Sequence, residues 1–214
     1  GIEDQISGYV VSLQDELRGW GTLLSRPPVK TIFLGGGTPS YLPTSDLEDV
    51  QKTIRSSFEV SPTAEITMEC NPGDVTAEKA ASWLESGVNR ISMGVQSFDD
   101  GLLSLLGRRH TALEAKQAFR TLRDAGFRNH SIDLIYGLPY QSPEQWSHTL
   151  DEAIGLEPDH ISLYSLQIEK GTPLAVDVAT GKYPIPDDDL AADMYEEAQR
   201  RLSENGFTQY EISN

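Results

Sequence analysis

Polar residues and glycines recur at or near the ends of apolar runs in this 214-residue sequence. They are about 30 residues apart, the length of one βα unit, so parallel strands would present them at one edge of a sheet. Carboxylates accept hydrogen bonds from an ammonium or a ribose diol, an arginine pairs with a carboxylate, and glycine backbone allows close approach. This chemistry suits an amino-acid-bearing nucleoside. The residues are Gly36, Gly37, Thr38, Glu69, Gln96, Asp133 and Gln167, with Arg108 in a basic turn.

Each of these residues also has a purely structural interpretation. The segment GGGTP at 35–39 could be a simple turn, since it is neither a P-loop nor a G-x-G-x-x-G fingerprint. Glu69 and Asp133 could hold neighbouring loops, and Gln96 could cap a helix. The two arginines of GRRH at 107–110 could lie on a solvated face. Three consecutive glycines together with the regular spacing favour the binding site.

Strand and helix patterns alternate along the chain, and they would position these residues. Apolar runs predict five strands and a possible sixth, at 30–34, 64–70, 89–95, 130–137, 160–166 and 208–213. Helical spacing and capping signals predict helices at 2–19, Ser45–Phe58 (with Ser45 and Glu48 as a capping box), 76–86, 99–106, Thr111–Ala125, Ser142–Ile154 and 187–204. A Gly/Pro-rich passage at 171–186 separates the fifth strand from the last helix.

The fold class predicted from this alternation is α/β. No hairpin signal separates the strands, so we expect parallel strands joined by right-handed crossovers. A Rossmann-like open sheet and a TIM-type barrel both fit the pattern, and both place ligands at the carboxyl ends of the strands.

Composition narrows the classes of partner. The net charge of −16 and the pI of about 4.5 argue against a nucleic-acid backbone, which requires a basic face. No apolar stretch approaches the length of a transmembrane helix. One cysteine, Cys70, excludes an internal disulfide and suits a reducing compartment.

Six blocks of the sequence resemble a known family. They are FLGGGTPSYL, MECNPGDVT, NRISMGVQSFDDGLLSLLGRRHT, SIDLIYGLPYQSPEQW, HISLYSLQIEKGTPL and YEISN, in that order. They resemble radical SAM proteins related to oxygen-independent coproporphyrinogen III oxidase, and the GVQSFDD, LGRRH and YEISN blocks are most similar to the heme chaperone HemW branch. The resemblance covers nearly the whole chain.

The resemblance implies a partial (βα)6 TIM-like barrel that binds S-adenosylmethionine at its upper rim. Gly36, Gly37 and Thr38 would line the methionyl end of the cofactor. Glu69 would contact its amino group and Arg108 its carboxylate. The remaining matches are Gln96 and Asp133 on the ribose side and Gln167 near the adenine.

The same resemblance implies a [4Fe–4S] cluster on three cysteines in a C-x-x-x-C-x-x-C loop, after a first barrel strand. Neither that loop nor that strand is found in this chain, and Cys70 alone cannot replace three thiolates. We therefore expect a fragment: residues 1–170 as the partial barrel, residues 171–214 as the start of a C-terminal extension of a helix and a strand, and no catalytic or metal-ligating residue. Such a fragment should be inactive as an enzyme.

Two functions stay open within this family. The first is a heme chaperone that binds and transfers heme, which the branch-specific blocks favour. The second is a coproporphyrinogen III oxidase, in which reduced cluster and cofactor generate a 5′-deoxyadenosyl radical. The expected partners are heme or a porphyrinogen and heme-acceptor proteins, with no nucleic acid and no transmembrane segment, in the cytoplasm or an organelle. Among the histidines, His110 in the basic turn is the one to test as a heme ligand.

Overall fold

The computed structural model describes residues 3–212. It contains one five-stranded sheet with its strands in sequential order, and helices in the connections. The strands are β1 (Pro28–Leu34), β2 (Glu59–Cys70), β3 (Arg90–Gln96), β4 (His130–Tyr136) and β5 (His160–Ser165). The helices are α1 (Glu3–Leu23), α2 (Thr44–Ser57), α3 (Ala77–Ser86), α4 (Asp100–Leu105), α5 (Ala112–Ala125), α6 (Pro143–Gly155), α7 (Pro173–Ala179) and α8 (Asp188–Glu204), with short 3-10 turns at Pro39–Tyr41 and Pro72–Asp74.

The chain divides into two compact units. The first comprises the residues up to Ser92 together with Arg120–Asn129, and the second comprises Met93–Phe119 together with the residues from His130 onward. The expected α/β class and the parallel pairing of β1 with β2 and of β4 with β5 are confirmed. The boundary at residue 170 between barrel and extension stays a prediction.

In the first unit, α1 and α2 cover the sheet with apolar side chains. Val10 from α1 and Val50 and Ile54 from α2 form a buried cluster against which Ile32 and Phe58 pack. The parallel register sets Leu34 of β1 beside Met68 of β2. The next residues along each segment, Gly35 just after β1 and Glu69 near the end of β2, are therefore neighbours.

In the second unit, α6 and α8 pack together through Trp146. Its ring is fully buried, and its Nε1 donates a hydrogen bond of 2.7 Å to the carbonyl of Met194. Tyr136 at the end of β4 lies 5.7 Å from Trp146 and 6.3 Å from Tyr195, ring centre to ring centre. Met194 and Ala198 complete this core.

Most predicted helix ends are confirmed by their caps. The Thr76 side chain accepts from the Lys79 amide, and Gly87 ends α3 with φ of 102°. Thr111 and Glu114 bond reciprocally at the start of α5. The capping box expected at Ser45 and Glu48 is wrong, because α2 begins at Thr44 with Pro43 at its N-cap, which puts Ser45 inside the first turn.

The structure adds one helix and corrects one further expectation. The Gly/Pro-rich stretch contains α7, which begins at Pro173 after a Thr172 cap, since proline is favoured in the first turn of a helix. The expected last strand is not found in residues 208–212, where Tyr210 instead contacts His160; residue 213 lies outside the described residues. A strand needs a hydrogen-bonded neighbour, which a local apolar pattern cannot supply.

Candidate functional site

The three glycines after β1 differ in what an added side chain would meet. A side chain at Gly35 would collide with the Phe33 ring and lie 3.0 Å from the Glu69 carboxylate. Gly36 has φ of +103°, a backbone conformation that other residues rarely adopt. Gly37 needs neither explanation, because the space that its Cβ would occupy is open within 4 Å. The space is also open above Gly36, so the turn leaves room for a ligand against bare backbone.

Glu69 faces this turn from the end of β2. The Gly36 amide donates a hydrogen bond of 3.1 Å to its Oε2, while the side chain stays partly exposed. A carboxylate can accept further hydrogen bonds beyond this one. Thr38 follows the turn, and its carbonyl accepts from the Tyr41 amide to start the 3-10 turn Pro39–Tyr41. Gly36 and Glu69 are thus brought together.

Sequence reasoning missed the anchor of this turn, Ser40. Its fully buried hydroxyl donates to Asp74 at 2.8 Å and accepts from the Asn71 amide at 3.0 Å. Lys79 Nζ donates to the Ser40 carbonyl at 2.9 Å. The loop after β1 is therefore tied to the loop after β2 and to α3. The only sequence signal was a small polar residue directly after the GGGTP segment.

In the second unit, Gln96 ends β3 in a strained turn. Its φ is 70°, and the Ser97 amide donates to the Val95 carbonyl at 2.9 Å across it. A hydrogen bond between residues i and i+2, with a positive φ at the central residue, defines the rarer and more strained form of γ-turn. Gln96 is only 8% exposed, and among residues 3–212 its side chain has no hydrogen-bond partner.

Arg108 and Asp133 also lie in the second unit and interact electrostatically. Gly107, two residues beyond the end of α4, has φ of 67°, and the Arg108 amide donates to the Leu103 carbonyl at 2.9 Å. Burial lowers the pKa of Arg108, and the charge of Asp133 partly offsets that lowering. The guanidinium stays charged, half-buried and able to pair with a carboxylate.

Gln167 is the most peripheral of the predicted residues. It lies beyond the end of β5, and it is exposed. The structure therefore brings Gly36 together with Glu69 in one unit and Arg108 together with Asp133 in the other. That all eight residues contact one ligand stays a prediction.

Cys70, the last residue of β2, is a free and buried cysteine. It is 3% exposed, and burial raises the pKa of its thiol to about 12. A thiolate is needed for metal binding, so this environment does not suit a cluster ligand. In the part of the chain that the structure describes, no group of three or more His, Cys, Asp or Glu side chains could hold a metal ion.

The four histidines have distinct environments. His110 is 5% exposed, and its Nε2 lies 3.1 Å from the Val95 carbonyl, to which it donates because a carbonyl only accepts. Burial lowers the pKa of His110, so the ring is neutral at pH 7. His130 is buried beside Phe119, and His148 is exposed beside Glu152. His110 therefore uses its Nε2 within the fold, which weakens its case as a heme ligand.

His160 lies in the wall of a cavity of about 640 Å³ that is lined by β5, α8 and residues 206–212. Its Nδ1 is 2.8 Å from the Ser131 hydroxyl and its Nε2 is 2.8 Å from the Tyr210 hydroxyl. A second cavity of about 340 Å³ lies between α1 and β1 in the first unit and reaches Gly35.

Within residues 3–212, no helix combines the length and the hydropathy needed to cross a bilayer.

Comparison with known proteins decides the family. Residues 4–153 match the model of the radical SAM superfamily. The chain belongs to the radical SAM superfamily. The resemblance inferred from the six sequence blocks is thereby confirmed, and the glycine turn, Glu69 and Gln96 all lie inside the matched range.

Relatives within the radical SAM superfamily include heme chaperones. The chain is 41% identical to "Heme chaperone HemW" of Escherichia coli, covering 96% of this chain and 53% of that protein. It is 36% identical to the protein of the same name from Bacillus subtilis, covering 98% and 55%. It is also 41% identical to mouse "Radical S-adenosyl methionine domain-containing protein 1, mitochondrial", covering 87% and 42%. The chain spans about half the length of these relatives.

A solved structure shows the same radical SAM fold. Coproporphyrinogen III oxidase (HemN) from Escherichia coli, described as a radical SAM enzyme, superposes with a TM-score of 0.83 at 29% identity, covering 95% of this chain and 47% of that one. The prediction of a partial TIM-like radical SAM barrel is therefore confirmed. Between the two folds left open by the alternation, the barrel is the correct one.

Proposed function

We propose that the whole protein is a heme chaperone built on a radical SAM barrel. The observation that carries this proposal is the 36–41% identity to HemW proteins across nearly the whole chain. In this proposal the whole protein binds heme and transfers it to acceptor proteins. The presence of both bacterial and mitochondrial relatives supports the cytoplasm or an organelle as its location.

S-adenosylmethionine is the proposed cofactor, and the residues of both units suit it chemically. Open backbone at Gly36 and Gly37 would accept the methionyl end beside Thr38, and Glu69 would accept from its ammonium. In the second unit, Arg108 would pair with the carboxylate, Gln96 and Asp133 would face the ribose, and Gln167 the adenine. Together with a reduced iron–sulfur cluster, this cofactor supplies one-electron chemistry.

A [4Fe–4S] cluster does not fit the residues of this chain. The sequence holds one cysteine, which is buried and protonated at physiological pH. If the whole protein carries a cluster, its thiolates come from residues outside these 214. We expect iron and sulfide to give no cluster absorbance with this chain alone, and appearance of that absorbance would contradict this assignment.

The alternative function is a coproporphyrinogen III oxidase. The specific observation in its favour is the superposition on HemN, which at 29% identity is less similar in sequence than the HemW relatives. The two functions share the cofactor residues named above, so this chain's own site does not separate them.

An experiment with the whole protein separates the two functions. It would be reconstituted anaerobically and incubated with hemin, and separately with coproporphyrinogen III, S-adenosylmethionine and a reductant. A heme chaperone gives a stable heme absorbance band after gel filtration and no porphyrinogen turnover. Formation of protoporphyrinogen would overturn the proposal in favour of the oxidase. If the protein neither retains heme nor converts the porphyrinogen, both functions are overturned.

A further inference from the structure

The turn at Gln96 is strained, and two residues distant in sequence hold it in place. A non-glycine residue with φ of 70° costs free energy and persists only where surrounding contacts maintain it. Such outliers concentrate at functional sites, so the contacts that maintain this one indicate what the turn is for. They come from His110 and from Thr149.

His110 acts on the turn through the carbonyl of Val95. That carbonyl accepts from the Ser97 amide at 2.9 Å, which closes the turn, and it lies 3.1 Å from His110 Nε2. A carbonyl has two lone pairs, so both hydrogen bonds can form at once. The ring is 5% exposed, and water cannot easily replace it as a donor. His110 therefore fixes the carbonyl on one side of Gln96.

Thr149 acts on the other side of Gln96, from inside α6. This threonine is fully buried, and its Oγ1 accepts from the Phe98 amide at 3.3 Å and lies 3.4 Å from the Ser97 hydroxyl. The Ser97 hydroxyl in turn accepts from the Asp99 amide at 3.1 Å. The chain that leaves Gln96 is thus fixed to a rigid helix.

We propose that His110 and Thr149 are positioning residues that hold the Gln96 turn and thereby aim the Gln96 side chain at S-adenosylmethionine. This inference rests on the proposed cofactor. Gln96 itself has no hydrogen-bond partner among residues 3–212, so its amide is left for a ligand. Both residues act on the backbone around Gln96, His110 through the Val95 carbonyl and Thr149 through the Phe98 amide.

The test uses the whole protein and titration calorimetry with S-adenosylmethionine. His110→Phe keeps a ring of similar size and removes the donor, and His110→Gln returns an amide donor. We expect His110→Phe to weaken binding about tenfold, the scale of one lost polar contact, and His110→Gln to restore most of it. His130→Phe, at another buried histidine, is the matched control and should keep wild-type affinity.

A double-mutant cycle separates positioning from general destabilisation. If His110 acts through Gln96, adding His110→Phe to Gln96→Ala should cause no further loss of affinity. An equal loss in both backgrounds would overturn the proposal, as would wild-type affinity in His110→Phe. Should that variant fail to fold, Thr149→Val, which removes only the hydroxyl function, is tested in the same cycle with the same expectation.

Amide hydrogen exchange tests the positioning without any ligand. We expect the Ser97 amide to exchange faster in His110→Phe than in His130→Phe, and His110→Gln to reverse the change. Unchanged Ser97 exchange would overturn the role of His110. A further outcome is that the wild-type protein does not bind S-adenosylmethionine, although Ser97 exchange responds to the His110 variants as expected. That result would refute the proposed cofactor and would still support the role of His110 in holding the Gln96 turn.

Discussion

Separate substitution of Gly36 and Gly37 by alanine distinguishes two roles of glycine in this turn. One is to adopt a strained backbone conformation, and the other is to leave space for a ligand. Gly36 has φ of +103°, and its amide bonds to Glu69. Gly37 has open space where a Cβ would lie and no left-handed φ. Gly36→Ala should therefore destabilise the fold, whereas Gly37→Ala should not.

The expected size follows from two contributions at Gly36. Forcing alanine into a left-handed conformation costs about 1–2 kcal/mol. Distortion of the partly exposed hydrogen bond to Glu69 adds up to about 1 kcal/mol. A total of about 2 kcal/mol corresponds to a fall of about 4–8 °C in Tm for a chain of this size. For Gly37→Ala we expect a change within about 0.5 kcal/mol.

The assays are urea unfolding followed by circular dichroism and, for the whole protein, calorimetric titration with S-adenosylmethionine. If the open space above the turn receives the cofactor, Gly37→Ala should weaken binding although stability is unchanged. Equal stability of the two variants would refute the argument from φ. Wild-type affinity in Gly37→Ala would refute the assignment of the open space to the ligand.

Two further predictions concern buried groups. Trp146→Phe removes the Nε1 donor that bonds to the Met194 carbonyl. In urea unfolding it should lower the free energy of unfolding by about 1–3 kcal/mol. An unchanged free energy would contradict the role of that hydrogen bond. Burial raises the pKa of the Cys70 thiol from 9.0 to about 12. As the pH rises, the thiol therefore loses its proton first in the unfolded state. The free energy of unfolding should fall between pH 9 and 12, by at most about 1.4 kcal/mol per pH unit. Cys70→Ala should remove that slope, and its persistence would assign the effect to other groups.

The sequence was sufficient for features that depend on neighbouring residues. Thr111 and Glu114 cap α5 as predicted, and Gly87 ends α3 in a left-handed conformation. The same cap pattern failed at Ser45, because the chain enters α2 after Pro43. A capping box is defined by where the helix begins, and tertiary contacts decide that.

The sequence was insufficient for features that join distant residues. The hydrogen bond from His110 to the Val95 carbonyl spans 15 residues, and the one from the Phe98 amide to the Thr149 hydroxyl spans 51. Neither a buried histidine nor a buried threonine carries a signal of its partner. Gln96 was predicted as a site residue from its place after a strand, but its strain is visible only in the backbone.

The choice of glutamine at position 96 is the strongest indication that its side chain is needed. Left-handed residues follow or end three strands, at Gly36, Gln96 and Gly137, and two of them are glycines that accept this conformation without strain. Glycine at position 96 would relieve about 1–2 kcal/mol of backbone strain. It would also cost about 0.5–1 kcal/mol, because glycine loses more conformational entropy on folding.

We therefore predict that Gln96→Gly is more stable than Gln96→Ala by about 1 kcal/mol, the reverse of the order in a regular strand. Both variants lack the amide, so both should bind S-adenosylmethionine about equally weakly in the whole protein. Urea unfolding and calorimetric titration measure the two quantities. If alanine is the more stable residue, the turn is not strained, and if either variant binds like wild type, the glutamine at this position serves packing rather than the ligand.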